Sequence, residues 1–155
     1  MIVHHNLYQR HDVFTCEVDY DLPLRELVTK ERMGTLERER VFESLDEYKD
    51  KPEQTGKRTL EVGLLKPVRD TILQTLRNNV RHHGRAATLR EVIVLCRSYP
   101  RSGLKQRTAV IVCHSPNQQS IPLAYWFDGA WRLTALNPRR IWRRTYTYKF
   151  AYVLR

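Results

Sequence analysis

The chain has 155 residues, about one domain's worth, and 41% of them are apolar, which argues against collagen-like and disordered chains. No window approaches the roughly eighteen apolar residues of a membrane span, and the polar start, Met1–Arg10, lacks the apolar segment of a signal peptide. Three widely spaced cysteines, Cys16, Cys96 and Cys113, argue against a disulfide framework. We therefore expect a single domain over residues 1–155, located in the cytoplasm.

The charge is divided between the two halves of the chain. Residues 1–76 contain 12 Lys and Arg against 15 Asp and Glu, whereas residues 77–155 contain 15 basic residues and two acids, Glu91 and Asp128. Arginine outnumbers lysine by 20 to 7, and its planar guanidinium suits phosphate contacts and stacking on bases. The basic half therefore predicts a polyanion-binding surface, with internal pairing to the acidic half as the alternative.

The first elements are a strand and a short helix. Val13–Val18 has a strand-like composition, and Asp21 is placed to cap a helix that Gly34 ends. The apolar side of this helix consists of Leu24, Leu27 and Val28.

A second helix is predicted from Thr35 to Tyr48. Glu39, Glu43 and Glu47 recur every four residues on one of its faces. Such carboxylates could hold a divalent metal, but an exposed, solvated face is the commoner arrangement, and we adopt it. The polar segment Asp50–Thr59 then predicts a loop, which is also the alternative place for a subdomain boundary.

The clearest helical pattern begins near Pro67, a residue suited to a first helical turn. Its apolar positions repeat every four residues at Val68, Ile72, Leu76 and Val80. Arg77, Arg81 and two histidines precede Gly84, so the helix is expected to end there with cations in its last turn.

The second half is predicted to be a sheet. Glu91–Arg97 and Thr108–His114 are β-branched runs separated by a loop, as in a hairpin. Thr88 and Glu91 also match a helix capping box, so the first run could begin as a helical turn; its β-branched content favours a strand.

Two further segments complete this sheet. Leu123–Thr134 contains Asp128-Gly129 between apolar runs, which predicts a tight hairpin. Thr145–Leu154 alternates, with Phe150 and other aromatic residues facing the helices and Lys149 facing outward. The sequence thus predicts an α+β fold with N-terminal helices packed on a C-terminal, mainly antiparallel sheet of about five strands.

The most suggestive binding segment lies between these last two elements, at Asn137–Tyr148. Its arginines flank one tryptophan, and single-stranded nucleic acid is bound by such a combination, since guanidinium groups pair with phosphates and bases stack on rings. The predicted contacts in this segment are Arg139, Arg140, Trp142, Arg143 and Arg144. Arg132, Lys149, Arg77 and Arg81 would extend the charged track. The predicted function is therefore non-catalytic binding of RNA or other single-stranded nucleic acid.

Two other classes of function stay open. The acidic helix or the Arg- and aromatic-rich face could serve a protein–protein adaptor or inhibitor, whose partner would be an acidic or nucleic-acid-binding protein. A small metal-independent ribonuclease could draw on His114, His82 or His83 and Tyr146 together with arginines.

No motif specifies a cofactor, a metal or a membrane partner. The sequence lacks the CxxC and HExxH spacings of zinc sites and the GxSxG, GxxxxGK[ST] and GxGxxG motifs. The adjacent histidines His82 and His83 would point about 100° apart on a helix, which does not suit two metal ligands. We therefore expect no catalytic residues, no bound metal and no cofactor.

Overall fold

The computed structural model of the chain describes residues 8–30, 34–35, 54–67, 70–98, 109–111, 121–127, 130–136 and 148–154. Within these ranges the helices are α1 (Leu24–Lys30), α2 (Leu73–His83) and α3 (Leu89–Ser98). The strands are β1 (Tyr8–Asp19), β2 (Gly34–Thr35), β3 (Lys57–Pro67), β4 (Gly84–Ala86), β5 (Ala109–Ile111), β6 (Ile121–Phe127), β7 (Ala130–Leu136) and β8 (Tyr148–Leu154).

These eight strands form one mixed sheet. Their order is β1–β3–β8–β5–β6–β7–β2, and β4 pairs with β8 beside that path. The β5–β8 and β2–β7 pairs are parallel, and the other described pairs are antiparallel. Strand β8 is central because β3 pairs along one of its edges, while β5 and then β4 pair along the other.

The predicted arrangement of N-terminal helices on a C-terminal sheet is wrong. Strands β1 and β3, of 12 and 11 residues, both belong to the first half and pair along their whole length. Helices α2 and α3 come after them, so the described helices lie between strands along the chain and do not precede the sheet. The predicted polar loop 50–59 overlaps the first three residues of β3. The strand is indicated by the residues that follow, because Leu60, Val62 and Leu64 alternate with polar or small residues.

The main core lies on one face of the sheet, between the sheet and the helices α1 and α3. Cys16 and Val18 of β1, Val62 and Leu64 of β3, and Ala151 and Val153 of β8 point into it, as the two-residue period of a strand requires. Helix α3 contributes Leu89, Val92, Ile93, Leu95 and Cys96. Its polar residues Arg90 and Glu91 are buried as well, so the helix is enclosed on nearly every side. A helix that is buried on nearly every side shows a continuous apolar run in its sequence, without a polar face.

The segment Glu91–Arg97, predicted as a strand, is therefore part of helix α3. Its apolar run is too short and too uniformly apolar for periodicity to distinguish a buried helix from a buried strand. The capping box forms at the start of this helix: the Glu91 amide donates to Thr88 Oγ1 at 3.4 Å, and Thr88 N–H donates to Glu91 Oε1 at 2.9 Å. The predicted hairpin between this segment and β5 does not form, and β5 pairs with β6 and β8 instead.

The second face of the sheet carries helix α2. Phe150 and Tyr152 alternate with the core residues of β8 and so point to this face, where both are fully buried. The ring of His83 lies 5.6 Å from the ring of Tyr152, and Val80 of the same helix is also buried. Tyr152 covers Gly63 of β3, because a Cβ at Gly63 would lie 2.2 Å from Tyr152 Cζ.

Helix α2 begins later than predicted. Pro67 ends strand β3, and the helix begins at Leu73. The predicted end at Gly84 is confirmed, although the reason is a close approach rather than a left-handed turn: a Cβ at Gly84 would lie 1.8 Å from the carbonyl oxygen of Val153. Gly84 thus lets β4 pair directly with the end of β8.

Several local predictions are confirmed. The strand at Val13–Val18 lies within β1, and the helix with buried Leu24, Leu27 and Val28 is α1. Strands β6 and β7 form the predicted hairpin, with Phe127 paired to Ala130. Thr108–His114 includes β5, and Thr145–Leu154 includes β8. The predicted helix Thr35–Tyr48 lies outside the described residues apart from Thr35, which belongs to β2. Among the described residues, no helix has the length and apolarity to cross a bilayer.

Candidate functional site

The predicted nucleic-acid contacts are distributed over three parts of the fold. Arg139, Arg140, Trp142, Arg143 and Arg144 lie outside the described residues. Arg77 and Arg81 lie on α2, Arg132 on β7 and Lys149 on β8. Arg81 is exposed, whereas the other three described cations are half-buried.

Arg132 and Lys149 lie on opposite faces of the sheet. Arg132 pairs across the hairpin with Tyr125 of β6, which lies on the same face of the sheet as Leu123, two residues earlier. Leu123 pairs with Ile111 of β5, and Ile111 pairs with Phe150 of β8. Residues directly opposite in a sheet point to the same side, so Arg132 lies on the second face with Phe150. Lys149 alternates with Phe150 and faces the main core side. The sheet therefore does not bring these two cations onto one surface. Lys149 was predicted to face outward from the helices, but it lies on the side of the sheet that α3 covers.

Arg132 acts electrostatically on its neighbour in the hairpin. Burial raises the pKa of the Tyr125 hydroxyl, and the positive charge of Arg132 lowers it in part. The net direction is upward, so Tyr125 stays protonated at neutral pH. The pair presents a phenol and a guanidinium side by side, both of them half-buried.

Helix α2 presents the most clearly basic surface among the described residues. It contains no Asp or Glu, and its last turn contains Arg81, His82 and His83. The buried side of the helix is marked by Val80 and by His83, whose ring contacts Tyr152. The opposite side, which we call the α2 outer stripe, consists of Gln74, Arg77, Asn78, Arg81 and His82.

Amide groups occupy the middle of this stripe. Gln74 and Asn78 are both exposed, and Gln74 Nε2 donates to Asn78 Oδ1 at 3.1 Å. Positions four apart on a helix are neighbours on its surface, so the two amides hold each other in place. Gln74 Oε1 and Asn78 Nδ2 remain as an acceptor and a donor toward solvent.

The densest polar cluster is buried, and Glu91 is its centre. Arg85 binds both carboxylate oxygens of Glu91 at 2.7 Å, and Tyr20 donates its hydroxyl to Oε2 at 3.0 Å. Glu91 is 0% exposed and Arg85 is 33% exposed. Together with the amide of Thr88, these donors satisfy the carboxylate, so the cluster joins the residue that follows β1, strand β4 and the start of α3.

A second arginine, Arg90 of α3, also stabilises the fold. Arg90 is 6% exposed, and its Nη1 donates to the carbonyl oxygens of Asp19 and Leu22. These carbonyls belong to the turn that leads from β1 into α1. Two of the cations of the basic half, Arg85 and Arg90, therefore stabilise the fold internally.

Burial dominates the acid–base behaviour around Glu91. It raises the pKa of the Cys16 thiol to about 11, with a smaller contribution from the charge of Glu91. It also raises the pKa of Tyr20 and that of the Cys96 thiol. Thiols with raised pKa values are poor nucleophiles, so the two cysteines act as small core residues.

The Glu91 cluster was not predicted as a unit. Sequence spacing pointed to Thr88 and Glu91 as a capping box, but Tyr20 lies 71 residues from Glu91 and no local pattern links them. Within the described part of the chain, no group of three or more His, Cys, Asp or Glu residues could hold a metal ion. Comparison of the whole chain with protein-family models, with curated proteins and with solved structures found no match.

Proposed function

We propose that this protein binds RNA or other single-stranded nucleic acid through the basic half of the chain, without cofactor and without cleaving it. The observation that carries the proposal is the segregation of charge. Residues 77–155 contain 15 basic residues and two carboxylates. One of these carboxylates, Glu91, is fully buried and forms an ion pair with Arg85, so this pair adds no net charge to the surface.

The choice of cation supports a phosphate ligand. Thirteen of the 15 basic residues in this half are arginines, and a guanidinium makes bidentate contacts with phosphate and stacks on bases. Arg139, Arg140, Arg143 and Arg144 are proposed to contact phosphates, and Trp142 to stack on a base. Arg77 and Arg81 on α2 and Arg132 on β7 are proposed to add further charge. Lys149 lies on the opposite face from Arg132 and is proposed to contribute least.

The proposal places the protein in the cytoplasm, where its buried thiols Cys16 and Cys96 would stay reduced. The interface needs no metal or cofactor, because phosphate binding by arginine is electrostatic.

Binding is tested by fluorescence anisotropy with labelled single-stranded RNA, single-stranded DNA and duplex DNA at several salt concentrations. The expected result is tighter binding to single strands, with an affinity that falls steeply as salt is raised. Replacing Arg139, Arg140, Arg143 and Arg144 by alanine should weaken binding and lower the slope of log K against log salt by about 3, because each lost single-strand contact contributes roughly 0.7.

The matched control uses cations of the acidic half. The double variant Arg25→Ala/Lys57→Ala removes two positive charges, as many as Arg77→Ala/Arg81→Ala does; Arg25 and Lys57 are both exposed. We expect the Arg77/Arg81 variant to bind more weakly than this control at every salt concentration. Equal losses in both variants would show a nonspecific effect of net charge, and absence of binding by the unmodified protein at low salt would refute the proposal. A denaturing gel after each titration detects cleavage, which would favour the ribonuclease instead.

A further inference from the structure

Strand β1 is the last strand at one end of the sheet. It spans 12 residues, and its partner among the described strands is β3. The edge that points away from β3 is not paired with any strand in the described part of the chain. The backbone N–H and C=O groups along such an edge form hydrogen bonds with another extended chain when one is present.

The register of β1 and β3 shows which backbone groups point to this outer edge. The Tyr20 N–H donates to the carbonyl oxygen of Gly56 at 2.9 Å, and these two residues continue the register of the two strands. Hydrogen-bonded and non-hydrogen-bonded pairs alternate between antiparallel strands, so the even-numbered residues before Tyr20 bond to β3. Val13 and Glu17, with Thr15 between them, therefore direct their N–H and C=O groups outward.

A separate contact agrees with this assignment and marks one end of the regular outer edge. Asp19 is also odd-numbered, and its carbonyl oxygen accepts from Nη1 of Arg90 on α3 at 3.0 Å. At the other end, a register shift interrupts the pairing with β3 between Arg10 and Asp12. The regular outer edge thus extends over residues 13–17.

A second copy of the same strand matches this edge. A twofold axis through Thr15 makes the two strands antiparallel, and it pairs Val13 of each copy with Glu17 of the other. These two pairs form four backbone hydrogen bonds and place no like charges opposite each other. An axis moved by two residues, to Glu17, would bring the two Glu17 carboxylates together, which is unfavourable.

The side chains on both faces of β1 support this pairing. Val13 is 38% exposed and is one of two exposed large apolar residues in the described ranges, with Ile72 as the other. Phe14 points to the opposite face, is half-buried, and would lie beside Cys16 of the second copy. Pairing would remove apolar surface of both residues from water, which is favourable.

The net positive charge of the chain does not oppose such a dimer. Strand β1 belongs to the acidic half, and β7 of the basic half lies five strand spacings from it, about 24 Å. The β7 strands of two copies joined at β1 would be about 50 Å apart, which is several Debye lengths at physiological salt. Their mutual repulsion is therefore screened.

We propose that two copies of this chain form a symmetric dimer by antiparallel pairing of β1 over residues 13–17, which joins the two sheets into one. For an interface limited to one strand edge, we expect a reversible dimer with a Kd on the order of 10 µM. The dimer does not depend on nucleic-acid binding, so the failure of either leaves the other intact.

Sedimentation equilibrium of protein freed of nucleic acid measures the dimer directly, over concentrations from about 1 to 200 µM. Nucleic acid is removed first, because an RNA that bridged two chains would also raise the mass. The expected mass rises with concentration from that of one chain to that of two. A mass that stays at one chain at the highest concentration would overturn the proposal.

The charge at position 13 tests the register. Val13→Glu places a carboxylate opposite Glu17 of the second copy in both pairs, and it should raise the Kd about tenfold. Val13→Lys places an opposite charge there and should not raise the Kd. The double variant Val13→Glu/Glu17→Lys should return the Kd close to that of the unmodified protein. Equal Kd values for Val13→Glu and Val13→Lys would contradict the pairing of residues 13 and 17.

A backbone variant tests the hydrogen bonds. Val13→Pro removes an outward N–H but no bond to β3, and proline is tolerated at such edge positions. It should abolish the dimer while circular dichroism shows a folded protein. Arg81→Ala, on α2, is the control and should dimerise as the unmodified protein does. A folded Val13→Pro that still dimerises would overturn the proposal, and if this variant does not fold, the comparison of Val13→Glu with Val13→Lys decides.

Discussion

Helices α2 and α3 are nearly equal in length, 11 and 10 residues, and only three strand residues and a short connection separate them. Helix α3 is buried on nearly every side, and its polar residues Arg90 and Glu91 are hydrogen-bonded inside the protein. Helix α2 buries one side only and directs amides and cations outward. The difference shows that the basic residues of this half do not all have the same role. Arg85 and Arg90 stabilise the fold, whereas Arg81 is exposed.

The largest expected effect comes from the start of α3. Glu91→Ala removes the acceptor of Arg85, Tyr20 and Thr88 and leaves a half-buried guanidinium without its carboxylate. We expect the free energy of unfolding to fall by about 3 kcal/mol. Urea denaturation measures this, and Glu91→Gln, which keeps part of the hydrogen bonding, should lose less. Equal stability of Glu91→Ala and the unmodified protein would contradict the buried cluster.

The next effect lies at the end of α2. Gly84→Ala places a Cβ against the carbonyl oxygen of Val153 and forces β4 away from β8. The expected loss is about 2 kcal/mol, in the range of overpacked core sites. Gly56→Ala is the control, because Gly56 has a positive φ of 69° but nothing within 4 Å of an added Cβ. It should cost about 1 kcal/mol, from backbone strain alone. A larger loss at Gly56 than at Gly84 would contradict the close approach.

A smaller effect is expected from pH. The pKa of Cys16 is about 11 in the folded protein against 9.0 for an ordinary thiol. A raised pKa means that the stabilisation is complete below pH 9 and is lost as the pH rises toward 11, because the unfolded chain releases the proton first. Cys16 should therefore contribute a fall in stability of about 1 to 2 kcal/mol over this window, in addition to the fall from Cys96, whose pKa is also raised, and Cys16→Ala should show a shallower fall. Denaturation at stepwise pH measures it, and an identical pH profile for the variant would contradict the assignment to Cys16.

The smallest effect is expected on the outer side of α2. Arg81→Ala removes an exposed side chain, so the free energy of unfolding should change by no more than about 0.5 kcal/mol. Thermal denaturation of Arg81→Ala beside Glu91→Ala gives the direct contrast between the two helices. A loss above about 1.5 kcal/mol for Arg81→Ala would show that its guanidinium has a structural role like that of Arg85.

Local patterns predicted individual elements, whereas the predicted arrangement of N-terminal helices on a C-terminal sheet was wrong. The turn residues at 128–129 and the flanking apolar runs were sufficient for the β6–β7 hairpin, and the alternation around Phe150 was sufficient for β8. The sequence also placed Arg77 and Arg81 on one helix. It could not show that Arg132 and Lys149 face opposite sides, because that depends on the register of three strand pairs, one of which, β5–β8, joins segments far apart in the chain.

The division between sequence and tertiary structure follows from the range of the interactions involved. Charge segregation, the excess of arginine and the capping box at Thr88 are properties of composition and short spacing, so the sequence alone determined them. The helical state of residues 91–97 depended on partners at a distance: Arg85 and Tyr20 fix Glu91, and β1 and β8 bury the apolar run. The choice between helix and strand there was decided by tertiary contacts, since an apolar run of this length can bury itself in either form.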